Sequence, residues 1–192
     1  MKVYFSTSAR SKKPYKENIE AIYGTIEDLG YQHVTDFILR VEPENFYDRS
    51  AKDAAIFYNR MVNEIKKADI CVFETSLESA GIGYSVNLAL DAGKPVIALH
   101  LSDREPYLLK MINHPKIQVL EYTLPTLKGI LKDALEIAKE QMDIRFTFFL
   151  TPKLVEYLDF IKRERKQARA TFLRKLIDSA LKKDKEFSEK NA

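Results

Sequence analysis

Short apolar runs alternate with amphipathic helical stretches along the first three quarters of the chain, and this rhythm restricts the possible folds more than any other feature. Lys2–Thr7, Tyr31–Phe37, Asp69–Phe73, Pro95–His100 and Ile117–Tyr122 read as strands. Between them, Pro14–Leu29 carries Ile19, Ile22, Ile26 and Leu29 near helical spacing. Gly30 and Gly93 stand where helices are expected to stop, and Ser50 stands where one running to about Lys67 is expected to be capped. Gly83–Ala92 and Thr126–Met142 complete the helices, and 40–48, with Pro43, reads as a loop. Strand and helix in alternation predict a doubly wound, Rossmann-like (flavodoxin-like) α/β domain with a parallel five-stranded sheet over residues 1–143. Ligands of such folds bind where loops leave the carboxyl ends of the strands, which directs attention to 6–13, 74–83 and 100–106.

The last 49 residues differ in kind. Residues 1–143 hold 18 Lys and Arg against 21 Asp and Glu, whereas 144–192 hold 13 against 7. Arg145–Leu150 reads as a strand with Phe146, Phe148 and Leu150 on one face. A helix with Leu154, Tyr157, Leu158 and Ile161 on one stripe follows, then a second from about Arg169 to Lys183. A strand–helix–helix module over 144–185 is too small to bury its own core, so it is expected to dock or to pair with a second copy. Residues 186–192 are expected to fray.

Hydrophobic residues make up 45% and charged residues 31%, enough for a core and against wholesale disorder. No apolar run reaches membrane-span length and no signal peptide is visible, so a cytoplasmic protein is expected. Cys71 is the single cysteine, and His33, His100 and His114 lack ligand spacing, so neither a metal nor a cofactor is expected.

The richest segment runs from Ala68 to Ser85. A strand enters a polar loop with Glu74 and Glu78, and Ser79-Ala80-Gly81-Ile82-Gly83-Tyr84 then opens a helix. Glycines allow close approach of a ligand, and a helix N-terminus offers unpaired N–H groups to an anion. This segment, together with Lys2–Arg10 and Gly93–Ile97, resembles the nucleoside 2-deoxyribosyltransferase superfamily, and within it the 2′-deoxynucleoside 5′-phosphate N-hydrolase branch. The resemblance covers about residues 1–140.

The resemblance implies cleavage or transfer at an N-glycosidic bond by a nucleophilic carboxylate, with a covalent glycosyl intermediate. It assigns ligand binding to Tyr4, Ser8, Arg10, Ser79, Gly81, Gly83 and Tyr84, with Arg10 meeting a 5′-phosphate, and Lys12 and Lys13 add charge at the same mouth. Three positions depart from the family pattern. Ser85 stands where the nucleophilic Glu is expected, Met61 where a second acid is expected, and Leu109 near a serine that a neighbouring subunit lends to the phosphate. Glu74 and Glu78 are the acids that could replace them, with Asp36 a weaker substitute.

The tail resembles a ribbon-helix-helix module, carried by 146–152, by Leu154, Leu158 and Ile161, and by Ala170–Ile177. That resemblance implies a homodimer and outward ribbon residues Arg145 and Thr147 facing DNA, although Phe149 shares their face and the glycine usual between the helices is absent. Two readings follow. In one, a degenerate pseudoenzyme body binds a nucleoside- or nucleotide-like ligand and couples it to a dimerising, possibly DNA-binding tail. In the other, the chain is an N-glycosidase or deoxyribosyltransferase with a relocated acid, Glu74 or Glu78.

Overall fold

The computed structural model describes residues 1–46, 50–142 and 148–185. The chain divides into two compact units, 1–144 and 145–192.

The first unit is built on five strands: β1 (Lys2–Thr7), β2 (Gln32–His33), β3 (Ile70–Glu74), β4 (Val96–His100) and β5 (Ile117–Glu121). All pair in parallel in the order β2-β1-β3-β4-β5, so the sheet is the doubly wound arrangement that the sequence predicts. Alternate residues of each strand serve opposite faces, as the two-residue period of a strand requires. Val3, Phe5, Ile70, Val72, Ile97 and Leu99 point to one layer, with helix α1 (Lys16–Asp28) and the later helix over Leu127–Glu140. Tyr4, Cys71, Phe73 and Val96 point to the other, packed on Met61, Ile65, Ile82, Val86, Ala89 and Leu90. Burial on both faces is why these strands read as nearly continuous apolar runs.

Both punctuating glycines act as expected. Gly30 and Gly93 adopt φ of +84° and +73°, a conformation glycine enters without a Cβ penalty. At each, the glycine N–H and the next N–H turn back to the preceding helix, Gly30 to Glu27 and Tyr31 to Ile26, Gly93 to Leu90 and Lys94 to Ala89.

The region after β1 departs from expectation. Of the strand expected over 31–37, only Gln32 and His33 pair with β1. The chain then makes two single-turn helices, α2 (Phe37–Arg40) and α3 (Pro43–Phe46), where a strand end and a loop are expected. The apolar residues Phe37, Ile38 and Val41 suit either reading locally, and packing decides in favour of the turns. Helix α4 (Ala51–Lys67) follows, with Ser50 Oγ accepting from the Asp53 amide at 3.2 Å. Helix α5 (Ala80–Asp91) starts three residues earlier than its sequence reading, so Gly81 and Gly83 lie in its first turn at ordinary helical φ. A further single turn, α6 (Tyr107–Lys110), precedes β5, and α7 (Leu127–Glu140) closes the unit.

In the second unit, α8 (Pro152–Glu164) and α9 (Arg169–Leu181) pack together, with Tyr157 against Phe172 at 5.8 Å between ring centroids and an Arg169–Asp159 ion pair. Residues 148–150 are not in a strand, and Arg145, Phe146 and Thr147 lie outside the described residues, as do 186–192. Among the described residues, no helix is long and apolar enough to cross a membrane.

Ile97 is fully buried at the centre of the α1/α7 layer. Ile97→Ala should lower unfolding free energy by about 2–5 kcal/mol, because a cavity replaces close contacts. Denaturant titration measures this, and a loss well under 1 kcal/mol would contradict the packing described.

Candidate functional site

The sheet order reverses direction between β1 and β3, and a cavity opens beside the carboxyl end of β1, walled also by the start of α5 that follows β3, as expected at a switch point. Its volume is about 330 Å³, within the usual range for small-molecule sites.

Part of the cavity lining is polar. Ser6 and Thr7 end β1, and the chain enters a 3₁₀ turn, Ala9–Lys12, preceded by Ser8. Ser8 is buried, lines the cavity, and its Oγ has no hydrogen-bond partner among the described residues. A buried hydroxyl in that condition calls for a ligand or a water. Arg10 lines the same part, and its Nη2 donates to the Glu78 carbonyl at 3.3 Å across the mouth. Facing it is the start of α5, where Ser79, Ala80 and Gly81 line the wall. Ser79 Oγ accepts from the Ile82 amide at 3.4 Å, while the amides of Ala80 and Gly81 have no intrahelical acceptor. A guanidinium, free hydroxyl and helix N-terminus converge here on the chemistry of an anion.

The rest of the lining is apolar. Phe37 and Ile38 of α2, Val41, Phe46 of α3 and Phe57 of α4 line it, with Tyr4 and Met61. Phe37, Phe46 and Phe57 form one aromatic group, with centroids 5.1–6.4 Å apart. Apart from Tyr4, sequence reasoning missed this wall because Phe37 and Phe46 fall in segments read as strand and loop and Phe57 in a helix with no assigned role; the dense aromatics at 37, 46 and 57 were the available signal. Tyr84, half exposed, lies at the rim, and its hydroxyl is 2.8 Å from that of Tyr58.

Met61 and Ser85, on separate helices, meet in this cavity. Ser85 Oγ lies 2.9 Å from the Gly81 carbonyl and 3.3 Å from the Met61 sulfur, so its proton is already engaged. The two positions where the resemblance expects carboxylates are thus adjacent, as a catalytic pair would be, but both are neutral. No Asp or Glu lines the cavity among the described residues.

The expected site residues sort unevenly. Tyr4, Ser8, Arg10, Ser79, Gly81 and Tyr84 come together at the cavity, with Ser85. Gly83 lies instead on a neighbouring cleft, with Tyr107–Leu109. Lys12 and Lys13 do not line the mouth: Lys12 Nζ donates to the carbonyls of Leu39 and Val41, and Lys13 pairs with Glu44. Glu78 is exposed and lines two clefts beside the cavity rather than the cavity itself. Asp36 is paired with Arg40. Among the described residues, no group of three or more His, Cys, Asp or Glu is arranged to hold a metal.

Glu74 is sealed at the end of β3. Its Oε1 accepts from the Ser76 amide at 3.0 Å, and its Oε2 is 3.1 Å from Thr7 Oγ1, which also donates to the Glu74 carbonyl at 2.9 Å. Burial raises the Glu74 pKa above the ordinary carboxylate value, against the lowering pull of these hydrogen bonds. A protonated Glu74 fits the network, since it can donate to Thr7 Oγ1 while Thr7 donates to the carbonyl. With its pKa raised on folding, the native state holds more protons than the unfolded chain above the ordinary Glu pKa, and stability falls there as pH rises. Glu74→Gln, which keeps a donor toward Thr7, should therefore gain stability relative to the parent as pH climbs from about 4 to 7. Paired unfolding curves across that range check this, and a constant difference would contradict it.

No family model matches the chain. A protein of Syntrophotalea carbinolica, provisionally named 2′-deoxynucleoside 5′-phosphate N-hydrolase 1, is 32% identical over 137 residues, spanning 70% of this chain and 94% of that protein. A Thermofilum pendens protein of the same provisional name is 31% identical over 112 residues, 54% of this chain and 71% of its own length. Among solved structures, a Clostridium botulinum CMP N-glycosidase matches with a TM-score of 0.50 at 17% identity, covering 69% of this chain and 98% of that one, a likeness of fold. With two such relatives, one matched over nearly its whole length, the chain belongs through its α/β unit to the 2′-deoxynucleoside 5′-phosphate N-hydrolases of the nucleoside 2-deoxyribosyltransferase superfamily.

Proposed function

We propose that this chain is an N-glycosidase-class enzyme that takes a nucleoside or nucleoside 5′-phosphate, with its acid supplied from outside positions 61 and 85. The observation that carries the reading is one cavity with an anion-binding part at Ser8, Arg10 and the start of α5, and an aromatic part at Phe37, Phe46 and Phe57. A 5′-phosphate suits the first and a base suits the second. The names of the relatives favour this reading over a regulator that only binds. In the reaction, a carboxylate oxygen bonds to the anomeric carbon as the carbon–nitrogen bond breaks and the base leaves with a proton; water then releases the sugar and restores the carboxylate.

Glu78 is the first candidate for that carboxylate. Its side chain is exposed, its carbonyl is held by Arg10, and the next residue, Ser79, lines the cavity. Glu74 is the second, more deeply enclosed. One observation favours a different reading, binding without turnover: Met61 and Ser85 touch where the family pattern expects two acids, and neither can stabilise a developing oxocarbenium charge.

Release of free base from a panel of deoxynucleosides and deoxynucleoside 5′-monophosphates separates the two. Turnover lost in Glu78→Gln or Glu74→Gln but kept in Ser85→Ala is the expected result. No base release from any member would establish binding alone. Arg10→Ala should weaken monophosphates by about 10–100-fold, the value of a charged hydrogen bond, and leave nucleosides nearly unchanged.

We also propose that the second unit assembles the chain with a second copy. Leu154, Tyr157, Phe160, Leu176, Ile177 and Leu181 are all at least two-fifths exposed on two short helices, more apolar surface than so small a unit leaves in water. The DNA-facing role for Arg145 and Thr147 rests on sequence resemblance alone. Leu176→Glu in the full chain should lower the mass measured by light scattering, and an unchanged mass would remove α9 from any self-contact.

A further inference from the structure

The segment between β2 and α4 forms the aromatic part of the cavity. Its described residues make only the single turns α2 and α3, yet they supply Phe37, Ile38, Val41 and Phe46 to the cavity. Its front is tied to α4 by Arg60, whose Nη2 donates to Thr35 Oγ1 at 3.0 Å and whose guanidinium lies 5.3 Å from the Phe37 ring centroid. Its back is tied to the 3₁₀ turn by Lys12. The Lys12 Nζ donates at 2.7 Å to the Leu39 carbonyl and at 2.5 Å to the Val41 carbonyl, acceptors at the end of α2. The neighbouring Lys13–Glu44 pair makes a similar link, but both side chains are more than half exposed, and such pairs contribute little.

Lys12 therefore joins the two halves of the site. Its own turn carries Arg10, next to Ser8, at the anion-binding part, and its ammonium holds the segment that walls the aromatic part. We propose that Lys12 is a positioning residue: by bridging the Leu39 and Val41 carbonyls it sets the apolar wall 37–46 against the anion-binding turn 8–12, without touching ligand. A residue acting this way supports nucleoside and nucleotide equally, whereas a phosphate ligand supports only the nucleotide. The ligand arm of this inference rests on the reading of the pocket given above.

The test uses the full chain and its Lys12→Met, Lys12→Arg and Arg10→Ala variants. Calorimetry gives affinities for 2′-deoxyadenosine and its 5′-monophosphate, and hydrogen exchange without ligand follows the Leu39 and Val41 amides, which donate to Asp36 and Phe37. Lys12→Met should weaken both compounds by the same factor, about tenfold for a lost charged hydrogen bond, speed exchange at Leu39 and Val41, and leave α1 unchanged. Lys12→Arg should restore both readouts, and Arg10→Ala should weaken the monophosphate alone. Loss confined to the monophosphate in Lys12→Met would make Lys12 a phosphate ligand and overturn the proposal. Unchanged exchange at 39 and 41, or exchange accelerated throughout the fold, would also overturn it. If the parent protein binds neither compound, the pocket reading fails, and the exchange result alone decides the role of Lys12.

Discussion

The parallel pairing of β1 with β3 is the constraint from which the rest of the first unit follows. Val3 through Thr7 register against Ile70 through Glu74, and 62 residues of chain between the strands must leave and return to make that pairing. The β1 exit turns toward one side of the sheet and the β3 exit toward the other, so their carboxyl ends open a crevice, which the connection from β2 to β3 walls with Phe37, Phe46, Phe57 and Met61. Thr7 and Glu74, the last registered pair, close the floor with a buried hydrogen-bonded contact. Every polar group at the anion-binding part stands on one of these two exits.

Within that frame, the two positions where the family pattern expects acids are neutral. Met61 and Ser85 occupy adjacent wall positions and leave the cavity neutral except for Arg10. On the proposed reading, such a site holds an anionic ligand and depends on carboxylates at its margin for bond cleavage. Glu78 and Glu74 differ sharply here. The first is solvated beside Arg10, and the second is buried with its pKa raised. Burial favours the neutral form of the enclosed acid, which makes it the weaker nucleophile of the two and the better structural hydrogen-bond partner.

Much of the sheet was legible in the residues, and so were the loops that line the polar part of the cavity. Doubly buried strands such as Ile70–Phe73 and Val96–Leu99 announce themselves as apolar runs, and Gly30 and Gly93 stop helices by a conformation other residues avoid. The loops that carry Ser8, Arg10 and Ser79 were legible because loop ends of a parallel sheet are where ligands meet the chain, and the resemblance to the deoxyribosyltransferase superfamily singled out these residues within them. The aromatic half was not. Phe37, Val41 and Phe46 sit in turns too short for any periodicity to show, and their placement depends on long-range ties from Lys12 and Arg60 that no local pattern encodes. The roles of Lys12 and Lys13 were misread for the same reason, since a lysine near an anion site looks the same in sequence whether it faces ligand or backbone carbonyls.

The central claim is that one cavity holds phosphate at its polar part and base at its aromatic part. A crystal structure of the full chain with a bound deoxynucleoside 5′-monophosphate tests it most directly. The account predicts phosphate oxygens within hydrogen-bond distance of Arg10, Ser8 Oγ and the first amides of α5, with the base against Phe37, Phe46 and Phe57. A phosphate bound away from Arg10, or a base lying in the cleft beside Tyr107–Leu109, would contradict it.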